Sequence, residues 1–222
     1  MTLAASRRST QRRPRKTPLG PESDGTRMSL ADFDQWPTRP GYLYELGRGI
    51  VQVSNIPVPG HGWQIQALRN QLVPYQVANP GEIEYLAGGG EGKMLIGSQE
   101  SERHPDLLIY KTPFPVNNNR AWALWIPEIV VEVVSPSSAA RDYEEKPPEY
   151  YDFGVKEYWI VDAAKKRMTV LRRVGGQWEE KAYGPAAKYA TPLLPGFKLD
   201  LRRVLTLPKR PRGGGSAERG DA

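Results

Sequence analysis

IVVEVVS, residues 129–135, is the stretch of the sequence that decides the fold. It is a run of β-branched residues with a single glutamate, Glu132, set into it. β-Branched residues favour strands, and side chains in a strand point alternately to its two faces. Glu132 therefore shares one face with Val130 and Val134, while the other face is wholly apolar. Because both faces are mainly apolar, the sequence predicts a central strand that is covered on both sides.

Glu132 is then a carboxylate in the middle of a sheet. Leaving it charged and unpaired there would cost on the order of several kcal/mol, so it needs a cation, a proton or a hydrogen-bond donor. Groups of this kind concentrate at functional sites, which favours a functional role. The alternative is structural: a buried ion pair, or a position at the mouth of the sheet.

Composition predicts one domain with two basic tails. The 222 residues suit a single domain, and the net charge is +6. Residues 1–27 carry +5 and residues 205–222 carry +2, which leaves −1 for residues 28–204. The basic charge therefore belongs to the tails and indicates no basic groove in the domain. We expect both tails to be disordered; a weak tether to nucleic-acid phosphates is an alternative role for the first.

Two further features of the composition bear on location. No apolar run approaches the ~20 residues of a membrane span, and no apolar segment typical of a secretory signal follows the first basic residues. Cysteine is absent, which excludes disulfides, thiolate nucleophiles and cysteine-bound zinc. The sequence therefore predicts a cytoplasmic protein with no membrane partner.

The order of elements predicts a mixed α/β (α+β) fold. A short helix capped by Ser29, a hairpin over residues 42–54 and a helix over residues 61–73 precede the central strand. After it, the second half of residues 141–154 is helical, and residues 157–162 form a buried strand that opens an antiparallel meander. This pattern favours a mixed sheet with helices packed against it.

Asp106 is the second candidate residue. It opens an apolar strand directly after Pro105, which is tolerated at a strand start. If that strand lies beside the strand of Glu132, the two carboxylates and water can bind Mg²⁺, which lowers the pKa of water and neutralises phosphoryl charge. Three alternatives stay open: a turn-ending Asp, a metal pair with His104, and a metal-independent carboxylate pair that acts on a glycoside.

Several motifs carry a resemblance to a known family. They are Pro105-Asp106 before an apolar strand, PEIVVEVVSPS at residues 127–137, Asp142, Lys146 and Tyr150 at four-residue spacing, and GVKEYWIVD at residues 154–162. The chain resembles the Uma-two family of endonucleases in these motifs. The resemblance also includes YEL around residue 45, the His61 helix, and LLPGFKLDL near the end. That family belongs to the restriction-endonuclease-like PD-(D/E)XK superfamily, and the resemblance covers residues 28–204.

The resemblance implies both a fold and an activity. The fold is an α-β-β-β-α-β core, a restriction-endonuclease-like mixed central sheet flanked by helices, with added antiparallel hairpins. The activity is hydrolysis of phosphodiester bonds in nucleic acid, with DNA as the expected partner and Mg²⁺ as the cofactor, for which Mn²⁺ can substitute. Cleavage of both strands of a duplex would favour a homodimer.

The resemblance also implies roles for individual residues. Asp106 and Glu132 would bind the metal. Val134 stands where such enzymes usually carry their lysine, so that role passes to Lys146 in the following segment. The expected supporting residues are Glu45, His61 and Asp142, with Asp142 as a partner of the lysine.

Lys146 departs from the pattern because Pro147 and Pro148 follow it. Proline breaks a helix interior and disfavours helical geometry in the residue before it. We therefore expect Lys146 at or before the helix start, or at a kink, a position that leaves open whether its side chain reaches the metal site. The alternatives are a solvated lysine beside acidic neighbours, and a nuclease-fold protein with little or no catalysis that serves as a binding or regulatory module.

Overall fold

The structure, a computed structural model, describes residues 16–206. Residues 1–15 and 207–222, and with them most of the two predicted tails, lie outside the described part. None of the helices between residues 16 and 206 is long and apolar enough to cross a membrane.

Short strands and helices alternate along the chain. The strands are β1 (Tyr42–Gly47), β2 (Ile50–Asn55), β3 (Tyr85–Ala87), β4 (Met94–Ile96), β5 (Ser101–Arg103), β6 (Leu107–Tyr110), β7 (Ile129–Val133), β8 (Glu157–Asp162), β9 (Arg167–Val174), β10 (Gln177–Tyr183), β11 (Lys188–Tyr189) and β12 (Leu199–Asp200). The helices are α1 (Leu30–Phe33), α2 (Pro59–Ala78), α3 (Ala121–Leu124), α4 (Lys146–Phe153) and α5 (Leu201–Leu205).

A six-stranded mixed sheet forms the centre, in the order β10-β9-β8-β7-β6-β3. Only β7 and β8 pair in parallel, and α4 lies in the crossover between them. A second, four-stranded antiparallel sheet has the order β2-β1-β5-β4, and β11 pairs with β12. The predicted mixed sheet with flanking helices and added hairpins is confirmed.

Strand β7 is central and buried along its whole length, as its sequence predicts. Its Val131 side packs on a core that includes Leu68 and Leu72 of α2. Its Val130 side packs on a second core that includes Tyr150 of α4. Glu132 points to the Val130 side, so its carboxylate lies between the sheet and α4.

The N-terminal boundary of the domain differs from the expected one. Leu19 lies in the expected tail, yet it is buried in a small core with Phe33, Leu46 and Val51. The nitrogen of Leu19 donates to the Pro37 carbonyl at 2.8 Å. The apolar side chain and these backbone hydrogen bonds outweigh the basic, polar composition of the segment, so residues 17–27 belong to the folded body.

Two helices differ from the sequence-based expectation. The expected stripe with Leu68 and Leu72 is present in α2, but the helix runs past Pro74 to Ala78. Pro74 is exposed. The helix can continue through it because the carbonyl of Asn70, which loses its N–H donor, faces the solvent side and can bind water instead. Helix α5 was not predicted; it begins where the Asp200 side chain accepts a hydrogen bond from the nitrogen of Arg202 at 3.0 Å.

Glu157 is a buried carboxylate at the start of β8, 1% exposed. Its two oxygens accept hydrogen bonds from the Arg172 guanidinium at 2.7 Å, the Thr191 hydroxyl at 2.7 Å, the Tyr189 hydroxyl at 2.8 Å and the Trp159 indole at 2.9 Å. Because these donors come from β8 itself, from β9 and from residues 189–191, this carboxylate connects β8 and β9 with the segment before β12.

We therefore expect Glu157→Ala to lower the free energy of unfolding by about 3–5 kcal/mol, since it leaves a guanidinium and three buried donors without their acceptor. Urea unfolding followed by tryptophan fluorescence measures this. The matched control is Glu179→Ala, at an exposed position of β10, which should change stability by less than about 0.5 kcal/mol. Equal stability of the two variants would contradict the structural role of Glu157.

Candidate active site

Glu132 meets two donors from α4. The Lys146 ammonium lies 2.9 Å from Glu132 Oε1, and the Tyr150 hydroxyl donates to the same oxygen at 2.6 Å. All three side chains are buried. Lys146 and Tyr150 are four residues apart, so one face of the helix presents both to the sheet.

Lys146 reaches Glu132 because of the way α4 begins. Residues Arg141–Glu145 form a π-helical turn, in which the nitrogen of Lys146 donates to the carbonyl of Arg141, and α4 follows directly. Pro147 and Pro148 lie in the first turn of α4, immediately after the π-helical turn. Lys146 thus lies at the helix start, as expected, directly after the wider turn, and its side chain reaches Glu132.

Two more carboxylates surround the lysine. Asp142 Oδ1 is 2.9 Å from Lys146 Nζ, and Glu45 Oε2 of β1 is 3.8 Å from it. Asp142 is itself held by the Ser138 hydroxyl, which donates to Oδ2 at 2.6 Å. The structure thus brings together around one ammonium the expected partner Asp142, from the π-helical turn, and the supporting candidate Glu45, from the small sheet.

Asp106 lies at the start of β6, next to β7. The antiparallel register pairs Leu107 with Val131, and Asp106 Oδ2 accepts a hydrogen bond from the nitrogen of Val133 at 2.7 Å. His61 Nε2, in the first turn of α2, is 3.2 Å from the same oxygen and 2.9 Å from the carbonyl oxygen of Val133. The two predicted metal ligands therefore sit on adjacent strands, and His61 fixes the orientation of one of them.

Gly88 belongs to the glycine-rich connection after β3 and allows the backbone to approach this aspartate. A Cβ atom at Gly88 would collide with the carbonyl oxygen of Asp106. The glycine is thus required by close packing rather than by phosphate binding. His104, in contrast, turns away from Asp106, and its Nε2 lies 3.0 Å from Glu102 Oε1.

Arg103 is a second buried cation next to the first. Its guanidinium donates to both oxygens of Glu149, at 2.7 and 2.9 Å, and to Gln52 Oε1 at 2.6 Å. Arg103 Nη1 also lies 3.4 Å from Glu45 Oε2. Glu45 therefore stands between the two cations, and its other oxygen accepts from the nitrogen of His104 at 2.9 Å.

The surroundings set the protonation of each group. Burial raises the pKa of Glu132 to about 8, against the opposing charge of Lys146. Burial acts in the same direction on Glu45, but the charges of Lys146 and Arg103 outweigh it and lower the pKa of Glu45 to about 2. Burial disfavours the charged form of Lys146, yet the three carboxylates raise its pKa. The lysine and Glu45 thus stay charged, whereas burial favours the protonated form of Glu132.

His61 is the titratable group on the other side of the two carboxylates. Burial favours its neutral ring, but the hydrogen bond and charge of Asp106 raise its pKa. The hydrogen bond to the Val133 carbonyl and the charge of Glu132 act in the same direction. A protonated His61 donates toward Asp106 Oδ2 and so holds the orientation of that side chain.

The remaining oxygens fit a hard cation. Within residues 16–206, Asp106 Oδ1 and Glu132 Oε2 accept no hydrogen bond. Both oxygens remain accessible to a ligand. In the same range no group of three or more His, Asp or Glu side chains is arranged to hold a metal. Two carboxylates completed by water suit Mg²⁺, which usually keeps several water ligands.

Comparisons with known proteins show the family and the fold. The family model described as "Putative restriction endonuclease", Uma2, matches residues 30–202. The chain belongs to this family. Its fold is similar to the crystal structure of a putative nuclease belonging to DUF820 from Anabaena variabilis ATCC 29413, with 17% identity, a TM-score of 0.66, and coverage of 80% of this chain and 97% of that one. No curated protein matches the chain.

In this member of the Uma-two family, sequence reasoning gave no role to Tyr150, Arg103 and Gly88. Tyr150 had a signal, since it follows Asp142 and Lys146 at the same four-residue spacing. Arg103 had none, because an arginine in a short polar strand next to a turn is normally exposed. Its burial depends on acids that are distant in the sequence.

We expect Lys146→Met, measured in EDTA, to lower the free energy of unfolding by about 3–5 kcal/mol at pH 7, because it leaves Glu45, Glu132 and Asp142 without their shared cation. The loss should be smaller at pH 5. Without the ammonium, less charge opposes the effect of burial on Glu45 and Glu132, so their folded-state pKa values lie above the unfolded ones; the folded protein then binds more protons and is stabilised as the pH falls.

Lys156→Met is the matched control, since Lys156 is largely exposed and 3.5 Å from Glu128. It should cost less than about 1 kcal/mol at either pH. If the two variants lose equal stability at pH 7, the buried lysine is not the counter-charge of the cluster.

Proposed function

We propose that the protein is a metal-dependent endonuclease that hydrolyses phosphodiester bonds in nucleic acid, with DNA as the substrate. The observation that carries this proposal is the meeting of Asp106, Glu132 and Lys146 from β6, β7 and α4 at one place. Two carboxylates with free oxygens and one fixed ammonium are the groups that phosphoryl transfer to water requires. Membership of the Uma-two family supports the same reaction class.

The residues have distinct tasks in this proposal. Asp106 and Glu132 hold Mg²⁺, for which Mn²⁺ can substitute; the bound ion lowers the pKa of water and offsets phosphoryl charge. Lys146 presents a permanent positive charge to the negative charge that develops on the phosphate. His61 orients Asp106, and Tyr150 orients Glu132 by donating to its Oε1.

Glu45 and Asp142 act through the lysine. They keep it charged and restrict its direction, so they are positioning residues rather than ligands of the metal. Cleavage of both strands of a duplex calls for two such sites, which a symmetric homodimer supplies.

The test is cleavage of a panel of supercoiled, linear and single-stranded DNA, and of RNA, with Mg²⁺, with Mn²⁺ and with EDTA. We expect metal-dependent cutting by the wild type and a loss of at least about a hundredfold in Glu132→Gln. The variant should keep its fold, because Tyr150 can still donate to the amide oxygen and Lys146 keeps Asp142 and Glu45 as counter-charges.

Glu144→Gln, at an exposed position two residues before Lys146, is the control and should cut like the wild type. Unchanged cutting by Glu132→Gln would refute the site. No cutting by the wild type with any metal would favour the alternative, a binding or regulatory module that retains the nuclease fold.

A further inference from the structure

A cavity of about 700 Å³ opens beside the candidate active site. Its volume falls within the roughly 300–1,000 Å³ that is usual for small-molecule sites. Val134 and Ala163 line it just after the parallel strands β7 and β8, and the carboxyl ends of parallel strands are where open α/β sheets bind ligands. His61 also lines the cavity, so the cavity and the Asp106 side of the active site share one wall.

Gln64 is the buried polar residue of this cavity. It is 4% exposed, lines the cavity, and its amide nitrogen has no hydrogen-bond partner among residues 16–206. A buried amide without a partner costs free energy. The nitrogen itself is covered, but Gln64 lines the cavity, and turning the carboxamide toward this space lets a ligand supply the missing acceptor.

The charged groups around the cavity favour an anion. Lys166 and Arg202 line it, and no acidic side chain of the described residues does. Helix α2 begins at its rim, where Gly60 lies in the first turn and Val58 at the N-cap makes no side-chain cap. Pro59 has no N–H group and the nitrogen of His61 donates to the Val58 carbonyl at 3.0 Å, so this start offers phosphate the N–H of Gly60 and the positive end of the helix dipole.

The rest of the cavity is apolar. Its side-chain walls are formed mainly by Val58, Val134, Pro136, Ala164, Pro185 and Leu205. Apolar walls with a single amide suit a planar heteroaromatic ring, which can pack on the walls and pair its polar edge with the amide. Together with the cationic rim, they fit a group that is both anionic and aromatic.

We propose that this cavity binds the nucleotide next to the scissile phosphate. The phosphate of that nucleotide lies at the start of α2 near Arg202 and Lys166, and its base enters the apolar part, where the Gln64 amide forms hydrogen bonds with the base edge. The inference rests on the proposed function, since a phosphodiester bound at Asp106 places the neighbouring nucleotide beside His61. Gln64 is then a specificity-determining residue, because a carboxamide pairs its donor and acceptor with one base edge better than with others.

The first test compares Gln64→Leu with Gln66→Leu. Gln66 lies on the same helix, is exposed, and donates to the side chain of Asn70. Binding of a fluorescent single-stranded DNA oligonucleotide, measured by anisotropy in EDTA, should weaken about tenfold in Gln64→Leu and stay unchanged in Gln66→Leu. The melting temperature of Gln64→Leu should stay the same or rise, because the unpaired buried amide is removed.

The second test does not depend on a core substitution. Arg202 and Arg203 are neighbours in α5 and both exposed, but only Arg202 lines the cavity. Arg202→Gln should bind the oligonucleotide several-fold more weakly and with a smaller salt dependence, since one phosphate contact is lost. Arg203→Gln should bind like the wild type. Equal affinities of these two variants, or wild-type affinity of Gln64→Leu, would overturn the proposal.

Competition identifies the ligand. Deoxynucleoside monophosphates should displace the oligonucleotide from the wild type at lower concentration than inorganic phosphate does, and Gln64→Leu should lose that difference. If phosphate competes as well as every nucleotide, the base does not enter the cavity and the proposal is wrong.

Sequencing the ends cut from a random single-stranded pool separates this inference from the proposed function. The wild type should show a base preference at one position next to the cut, which Gln64→Leu loses while it continues to cut. Cutting by both proteins with the same base preference contradicts the inference and leaves the endonuclease in place. Absence of cutting contradicts the proposed function, and the affinity measurements then decide whether the cavity binds a nucleotide.

Discussion

The buried charge of Lys146 is the interaction on which the site depends. An ammonium removed from water is costly unless anions and hydrogen bonds replace the water. Here Glu132 and Asp142 approach it within 2.9 Å, and Glu45 lies at 3.8 Å. The dependence is mutual, because three carboxylates could not stay charged so close together without the cation. Strand β7, the π-helical turn and strand β1 thus each contribute a carboxylate to this lysine.

The backbone before α4 shows how the sequence accommodates that requirement. A regular helix through residues 141–153 would place the rings of Pro147 and Pro148 against the carbonyls of the preceding turn. The π-helical turn is wider, and it ends where the prolines begin the first turn of α4. Single π-helical turns inside helices occur frequently at functional sites. The departure from the usual motif thus changes the local backbone and keeps the lysine beside Glu132.

Sequence patterns predicted the parts of the structure that depend on short-range periodicity. The alternation around Glu132 gave the central strand, and Pro105-Asp106 before an apolar run gave the start of its neighbour, because sequential strands often pair. Patterns did not show that the Lys146 side chain contacts Glu132, because this contact depends on the π-helical turn, in which each backbone N–H bonds to the carbonyl five residues before it rather than four. They also missed the burial of Leu19 and Arg103, since the composition around each is polar and the partners come from remote segments. Long-range compensation of charge and packing cannot be read from local spacing.

Arg103 shows why the small sheet matters for the lysine. Its guanidinium donates to both oxygens of Glu149, which lies three residues after Lys146 in α4. This pair of hydrogen bonds restricts rotation of the helix. A lysine could not replace it, because a single ammonium does not donate in a planar fork. Glu45 then links the two cations from β1. The small sheet and α4 are thus joined by buried ion pairs rather than by apolar contact alone, and the same pairs that hold the sheet in place set the direction in which Lys146 points.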